Sequence, residues 1–426
     1  SNVRRMLNHG KLPPSDAVRV EELINYFPYN YALPTGKRPF AVHTEMAPAP
    51  WNGERVLLSI GIKGQDVAKQ NLPPANLVFL VDVSGSMNSP DKLPLLQSSL
   101  KLLVNQMRAQ DRIALVTYAS GTQVVLPSTA GSEKATINAA IDALRAGGST
   151  AGASGLQLAY SAAQQGFIKN GINRILLATD GDFNVGVSDT AQLKSMIEEK
   201  RKSGISLSTL GFGTGNYNEA MMEQIADVGD GAYSYIDNLM EGHKVLVNEM
   251  TSTLATIARD VKVQIEFNPA VVKEYRQIGY ENRQLNREDF NNDKVDAGDI
   301  GAGHTVTALY ELTLVGSQGS IDPLRYKKAE KTHDPLDGEL GFLRLRYKPV
   351  QADKSELIEV PLQRSAIKPF ATAGNEFRFA TAVAGYGQLL RGGKYTGNWS
   401  YADARQLAAG SLGKDNFGYR GEFLRM

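Results

Sequence analysis

The chain contains no cysteine. That excludes disulfides, thiolate metal ligation and a cysteine nucleophile, and it leaves the redox compartment open. An excess of one charge is also lacking. Lys and Arg total 46 against 45 Asp and Glu, for a net charge of +1, so no long-range field favours nucleic acid or an anionic membrane. No apolar run approaches the ~20 residues of a membrane-spanning helix. The 5 histidines, His9, His43, His243, His304 and His333, never fall at ligand spacing. His243 sits on the apolar face of a helical stretch, the place of a core or boundary residue. There is neither an internal repeat nor a low-complexity tract. The sequence starts at Ser1-Asn2 with no initiator Met, which reads as a trimmed start with room for a removed signal or anchor.

What is present is ordinary globular material: 426 residues, 42% hydrophobic and 21% charged, enough for two or three domains. Val20, Leu23, Ile24 and Phe27 follow Pro13-Pro14-Ser15 and make one apolar stripe, predicting an early helix. The aromatics from Tyr26 to Tyr31 are expected to pack against a sheet rather than form a ligand cage. Residues 40–62 read as extended, with a turn between Pro48 and Gly53. The pattern then changes. Asn76-Leu77-Val78-Phe79-Leu80-Val81 is a continuous apolar run, the mark of a strand buried on both faces. A helix with Leu93, Leu96, Leu100, Leu103 and Met107 on one face follows. Strands at 113–118, 123–126, 175–179, 205–210 and 232–236 then alternate with helices at 132–145, 154–169, 189–203, 218–228 and 239–257. That alternation predicts a doubly wound, mostly parallel, Rossmann-like sheet over residues 75–258.

Beyond residue 260 the periodicity falls to two. Val261 to Phe267, Thr305 to Val315 and Gly341 to Tyr347 alternate apolar and polar, so residues 260–365 read as an antiparallel, sandwich-like β domain. The N-terminal residues 1–70, with their strands, are expected to join that β domain, which makes the α/β domain an insertion. Residues 366–426 form a helical C-terminal segment with helices at 374–391 and 400–412, the second opened by a capping box at Ser400 and Asp403.

In an open α/β sheet, ligands bind where strands end at a switch point. The first buried strand exits into Asp82-Val83-Ser84-Gly85-Ser86, and the strand 175–179 exits into Asp180-Gly181-Asp182. Gly147-Gly148-Ser149-Thr150 precedes a helix between them. The candidate ligands are therefore Asp82, Ser84, Ser86, Thr150 and Asp180. An all-oxygen set of this kind suits Mg²⁺, or Mn²⁺ or Ca²⁺. The alternation of Asp82, Ser84 and Ser86 predicts an extended loop aiming three side chains the same way, with Gly85 relieving the backbone between the serines. Two carboxylates only balance a divalent ion, and the set does not close its shell, so one position remains for a partner's carboxylate.

The Asp82–Ser86 loop, Thr150 and the Thr179-Asp180-Gly181 turn together resemble the metal-ion-dependent adhesion site of von Willebrand factor A domains, over about 180 residues. Gly211-Phe212-Gly213-Thr214-Gly215-Asn216 resembles the end of that domain's fifth strand. The resemblance implies that Ser84 and Ser86 bind metal directly, that Thr150 and Asp180 bind directly or through water, and that the last helix, 239–257, shifts when a ligand binds. Outside this domain, Tyr26-Phe27-Pro28-Tyr29-Asn30-Tyr31 with Leu33-Pro34-Thr35-Gly36, and the block Asp296 to Val306, resemble the bacterial YfbK-like proteins. That resemblance implies a cell-envelope protein, periplasmic or surface-exposed and lipoprotein-like.

Blander readings stand beside these. Asp182 reads as a rim residue. Asp180-Gly181-Asp182 also resembles a haloacid dehalogenase phosphatase loop, but Asn184 stands where that pattern wants Thr or Val. Ser89-x-x-Lys92 matches a penicillin-binding-protein pattern without its companions, so it reads as chance. The glycines at 211, 213 and 215 do not give a dinucleotide fingerprint. Asn291-Asn292-Asp293 through Asp299 reads as a solvated surface turn, lacking the register of a calcium loop. The expected function is non-enzymatic capture of an Asp or Glu on a protein partner at the metal site. An envelope scaffold with the site filled in cis, and a metal-dependent phosphoester hydrolase, are the alternatives.

Overall fold

In the computed structural model, Leu77, Phe79 and Val81 pack into one apolar cluster and Val78 and Leu80 into another, all but fully buried. The structure describes residues 2–149, 152–181, 190–214, 219–279, 293–319 and 338–426. The apolar run at 77–81 thus lies in a strand with both faces covered, each of these buried side chains contributing roughly 1.5–3 kcal/mol. The chain divides into two compact units, one of residues 1–5 and 68–255, the other of residues 6–67 and 256–426.

The first unit is built on a six-stranded sheet whose strands run, edge to edge, Thr122–Ala130, Arg112–Tyr118, Ala75–Asp82, Ile172–Thr179, Ile205–Phe212 and Tyr233–Ile236. All neighbours are parallel except the edge pair Thr122–Ala130 and Arg112–Tyr118. Counted within this unit, the strand order is 3-2-1-4-5-6, the doubly wound order, and its switch point lies between Ala75–Asp82 and Ile172–Thr179. One face is covered by Leu93, Leu96, Leu100 and Leu103 of the helix Leu93–Gln106, with Ile137, Ile141, Leu246, Met250 and Leu254. The other is covered by Leu156, Tyr160 and Ala163 of the helix Gly152–Gln165, with Leu193, Ile197, Met222 and Ile225.

Two antiparallel four-stranded sheets form the second unit. One runs Phe40–Ala49, Asn52–Gly64, Thr305–Leu314, Val272–Gln277; the other runs Asp293–Gly301, Thr256–Phe267, Glu339–Pro349, Glu356–Gln363. Val261, Val263, Ile265 and Phe267 share one buried cluster with Leu58, Ile60, Ile62 and Leu312 of the opposite sheet, a sandwich core built from period-two faces. Helices Asn375–Leu390, Tyr401–Ala409 and Tyr419–Arg425 follow, and Ser400 and Asp403 make the expected capping box. Of the Tyr26–Tyr31 aromatics, Tyr31 packs against the sheet as expected: it stacks on His43, its hydroxyl lies 2.7 Å from Thr307 Oγ1, and its ring covers Gly61. Tyr26 and Phe27 instead meet Tyr419, Phe379 and Phe423 of the C-terminal helices.

Two expectations are corrected. The helix expected over 239–257 runs through Leu239–His243, Lys244–Asn248 and Met250–Leu254 but ends at Leu254, and it is widened at Lys244–Asn248, where the Glu249 amide donates to Lys244 O at 2.9 Å across five residues. Ile257 already belongs to the strand Thr256–Phe267. The turn expected through Asp299 is, from Asp293 onward, the edge strand Asp293–Gly301 paired with Thr256–Phe267; Asn291 and Asn292 lie outside the described residues.

Gly231 leads into the strand Tyr233–Ile236, and a Cβ there would run into the backbone carbonyl of Leu207 on the neighbouring strand. Gly231→Ala should therefore destabilise the first unit by about 1–3 kcal/mol. Chemical denaturation checks this, and an unchanged midpoint would show that the strand end yields freely.

Candidate metal centre

Asp82 ends the first strand of the six-stranded sheet and is fully buried. Its Oδ1 accepts the Ser84 amide at 2.9 Å and the Ser84 hydroxyl at 2.6 Å. Its Oδ2 accepts the Thr179 hydroxyl from across the switch point at 2.9 Å. Burial pushes the Asp82 carboxyl above its ordinary pKa, the Ser84 and Thr179 donors pull it back, and the charge of Asp180 adds to the rise. A carboxylate held this way carries negative potential that an adjacent cation would relieve.

The loop that follows is extended only as far as Ser84. Gly85–Asn88 then forms a single tight turn anchored by the buried Met87. The turn, rather than an extended alternation, carries Ser86 round until its hydroxyl is 3.0 Å from that of Ser84. Gly85 is not sterically required: a Cβ there would meet only Gly148 O, at 3.6 Å.

A second loop is tied to the first by backbone bonds. The Gly85 amide donates to Gly148 O at 3.0 Å and the Gly147 amide to Val83 O at 2.8 Å. Gly148 has φ +88°, a conformation that favours glycine, and a Cβ there would collide with Ser120 Oγ. The Ser149 amide donates to that same oxygen at 3.0 Å. These bonds bring the loop to the site as far as Ser149; Thr150 lies outside the described residues, as does Asp182.

In the third loop Gly181 has φ +94° and its amide donates to Thr179 Oγ1 at 3.2 Å. Asp180, with a side chain only 6% exposed, is met by Lys92, whose Nζ lies 3.1 Å from Asp180 Oδ2. The same ammonium donates to Ser86 O at 2.9 Å. The Lys92 stem runs over Gly213, where a Cβ would collide with its Cε, and Gly213 has φ +80°. Part of the Gly211–Asn216 motif thus has a local task, leaving room for this lysine; Gly215 and Asn216 are outside the described residues.

Of the five sequence-derived candidates, Asp82, Ser84 and Ser86 form one hydrogen-bonded group. Asp180 is linked to it through Lys92 and through Thr179, its neighbour in the chain. Sequence reasoning quoted Thr179 only as part of the turn at Asp180 and read Lys92 as part of a chance pattern, so it gave neither a role at the site. A lone basic residue at the mouth of an otherwise acidic and hydroxylic strand-end cluster was the available signal. Among the described residues no three His, Asp or Glu side chains gather as a metal-holding group, so the donor set depends on hydroxyls. The Ser84 and Ser86 hydroxyls share a hydrogen bond at 3.0 Å, a spacing that also matches the about 2.9 Å between adjacent oxygens of an octahedral shell with ~2.0–2.1 Å bonds, so the pair is compatible with a hard cation.

Over its full length the chain is 55% identical to YfbK of Escherichia coli (strain K12), an uncharacterized protein of which it covers 75%. The chain belongs to the YfbK family of von Willebrand factor A-domain proteins. The von Willebrand factor type A domain matches residues 76–249, the YfbK C-terminal region residues 252–426, and a further von Willebrand factor segment residues 1–59. The Synechocystis sp. protein sll0103 is 28% identical, covering 56% of this chain and 56% of its own length. A solved von Willebrand factor type A protein from Catenulispora acidiphila is 17% identical, spans 93% of this YfbK-family chain and 91% of its own, and superposes with a TM-score of 0.46.

Proposed function

We propose that this YfbK-family chain is a non-enzymatic, divalent-metal-dependent protein-binding module that takes hold of an Asp or Glu on a partner protein. The von Willebrand factor A domain supports the general role in protein interaction or adhesion. The finer reading is carried by one observation: two serine hydroxyls 3.0 Å apart, one of them held by a fully buried carboxylate, at the switch point of the sheet. Ser84 and Ser86 would hold Mg²⁺, or Mn²⁺ or Ca²⁺, with Asp180 and Thr150 directly or through water, while Asp82 fixes the Ser84 hydroxyl and supplies charge. The ion would contribute a compact positive charge with a coordination position to spare for a carboxylate. Affinity for the partner then depends on one charge-assisted bond plus the surface around it.

The cell envelope is the compartment in which we place this interaction, as the family resemblance implies. No helix among the described residues is long and apolar enough to cross a membrane. The test is a pull-down from envelope extract with the chain immobilised, in Mg²⁺ and in EDTA, beside Asp82→Ala. A protein retained only by the unaltered chain in Mg²⁺ is the expected result. Equal retention in EDTA would sink metal-dependent capture, and turnover of a generic phosphoester that disappears in Asp180→Asn would replace binding with hydrolysis.

A further inference from the structure

We propose that Lys92 is a tethered cation that competes with the divalent ion for the Asp180 and Ser86 side of the site, and so sets its metal affinity. The inference rests on the reading that the site binds metal. Lys92 immediately precedes the helix Leu93–Gln106, and its stem is confined by Gly213, a residue whose lack of a side chain leaves the methylenes their path. Its ammonium is thereby delivered to two oxygens, Asp180 Oδ2 at 3.1 Å and Ser86 O at 2.9 Å. The pair is well shielded, with 15% of the Lys92 side chain and 6% of the Asp180 side chain exposed, so solvent screens it little.

An ion held by the Ser84 and Ser86 hydroxyls with Asp180 beside them shares that carboxylate with the ammonium. Two cations cannot both take full advantage of one carboxylate at this range, since each raises the energy of the other. Metal entry therefore has to displace Lys92, and the displacement subtracts from metal affinity. A lysine suits this task better than an arginine. Its flexible stem lets a compact charge withdraw without dismantling a bidentate fork. The alternative role, a strut that orients Asp180 for the metal, predicts the opposite sign.

Mn²⁺ binding, followed by calorimetry and by the electron paramagnetic resonance signal of the free ion, decides between them on the full chain, Lys92→Met, Lys92→Gln, Lys92→Arg and Asp82→Ala. The uncharged variants should bind Mn²⁺ tighter by on the order of tenfold or more, the change expected when a like charge is removed from within ~4–6 Å of a bound ion. Lys92→Arg, which keeps the charge and can grip Asp180 through a fork, should bind Mn²⁺ no tighter than the unaltered chain. Circular dichroism in EDTA confirms folding of each variant, and Lys92→Gln answers the question should Lys92→Met not fold. Unchanged or weaker Mn²⁺ binding in the uncharged variants, with the unaltered chain binding and Asp82→Ala not binding, overturns the competition while leaving the metal site standing. No binding by the unaltered chain or the lysine variants overturns the metal reading and the competition together.

Discussion

Asp82→Ala should abolish the thermal stabilisation that Mg²⁺ or Mn²⁺ gives the unaltered chain. At an ion concentration near 100 times its Kd, binding to the native state alone is worth about 2.7 kcal/mol. For a unit of this size that corresponds to a rise in Tm of roughly 5–10 °C. The variant loses one of two negative charges and the acceptor that holds the Ser84 hydroxyl toward that of Ser86. Removing groups that orient a metal ligand commonly weakens affinity by ~10–100-fold, and the loss of charge adds to that. In EDTA the change should be small. Deleting the carboxylate orphans the Ser84 amide and the Thr179 hydroxyl, costing about 1–3 kcal/mol for each group left buried without a partner, but it also removes a buried charge whose desolvation opposed folding. Asp82 has its pKa raised by folding, so between its ordinary value and the raised one the native state binds more protons than the unfolded chain. Metal-free stability therefore falls as pH rises through that window, and Asp82→Asn should flatten that fall. Scanning calorimetry with and without metal reads all of this. A Tm rise in Asp82→Ala equal to that of the unaltered chain would remove the residue from the site.

Much of the fold was legible because burial writes itself into local periodicity. Residues 77–81 are apolar throughout because helices cover both faces of that strand, whereas 261–267 alternate because one face alone enters the sandwich core. The strand-end cluster was legible for a related reason: doubly wound topology dictates that Asp82 and Thr179 end adjacent strands on one sheet edge. What stayed hidden depends on partners remote in sequence or on pairing that overrides propensity. Lys92 looked incidental because the oxygen that explains it lies 88 residues away, on Asp180. Leu246, Met250 and Leu254 kept a buried apolar face over 246–254, so a wide turn that inserts one extra residue left little trace in the pattern. The stretch Asp293–Gly301 is rich in Asp and Gly, a turn composition, yet it forms an edge strand with register breaks after Asp296, Gly298 and Ile300. An irregular edge paired on one side tolerates residues that a central strand would not.

Arg4→Ala should be the most destabilising single substitution among those proposed, lowering the stability of the first unit by about 3–5 kcal/mol. Arg4 is 4% exposed and belongs to that unit although the stretch that follows it, residues 6–67, does not. Its Nε donates to Asp237 Oδ2 at 3.0 Å, and its Nη2 donates to Asp237 Oδ1 at 2.5 Å and to Glu241 Oε2 at 3.0 Å. The Asp237 and Glu241 side chains are each 7% exposed. Asp237 directly follows the last strand of the sheet, and Glu241 lies in the helix capped by Asn238, whose side chain accepts the Glu241 amide. Truncating Arg4 leaves two carboxylates out of water beside each other, and that uncompensated charge is the source of the loss. Neutralising the acids as well should therefore restore most of it: Arg4→Met with Asp237→Asn and Glu241→Gln is expected to be far more stable than Arg4→Ala. The location of the effect can be read separately from its size. Both tryptophans, Trp51 and Trp399, are in the second unit, so their fluorescence reports that unit. Amide exchange at Tyr233–Ile236 and Leu239–His243 reports the first, and there it should accelerate in Arg4→Ala. A loss below about 1 kcal/mol would mean that water reaches Asp237 and Glu241 once the guanidinium is gone, and the first five residues would then be a surface attachment rather than part of the core of the α/β unit.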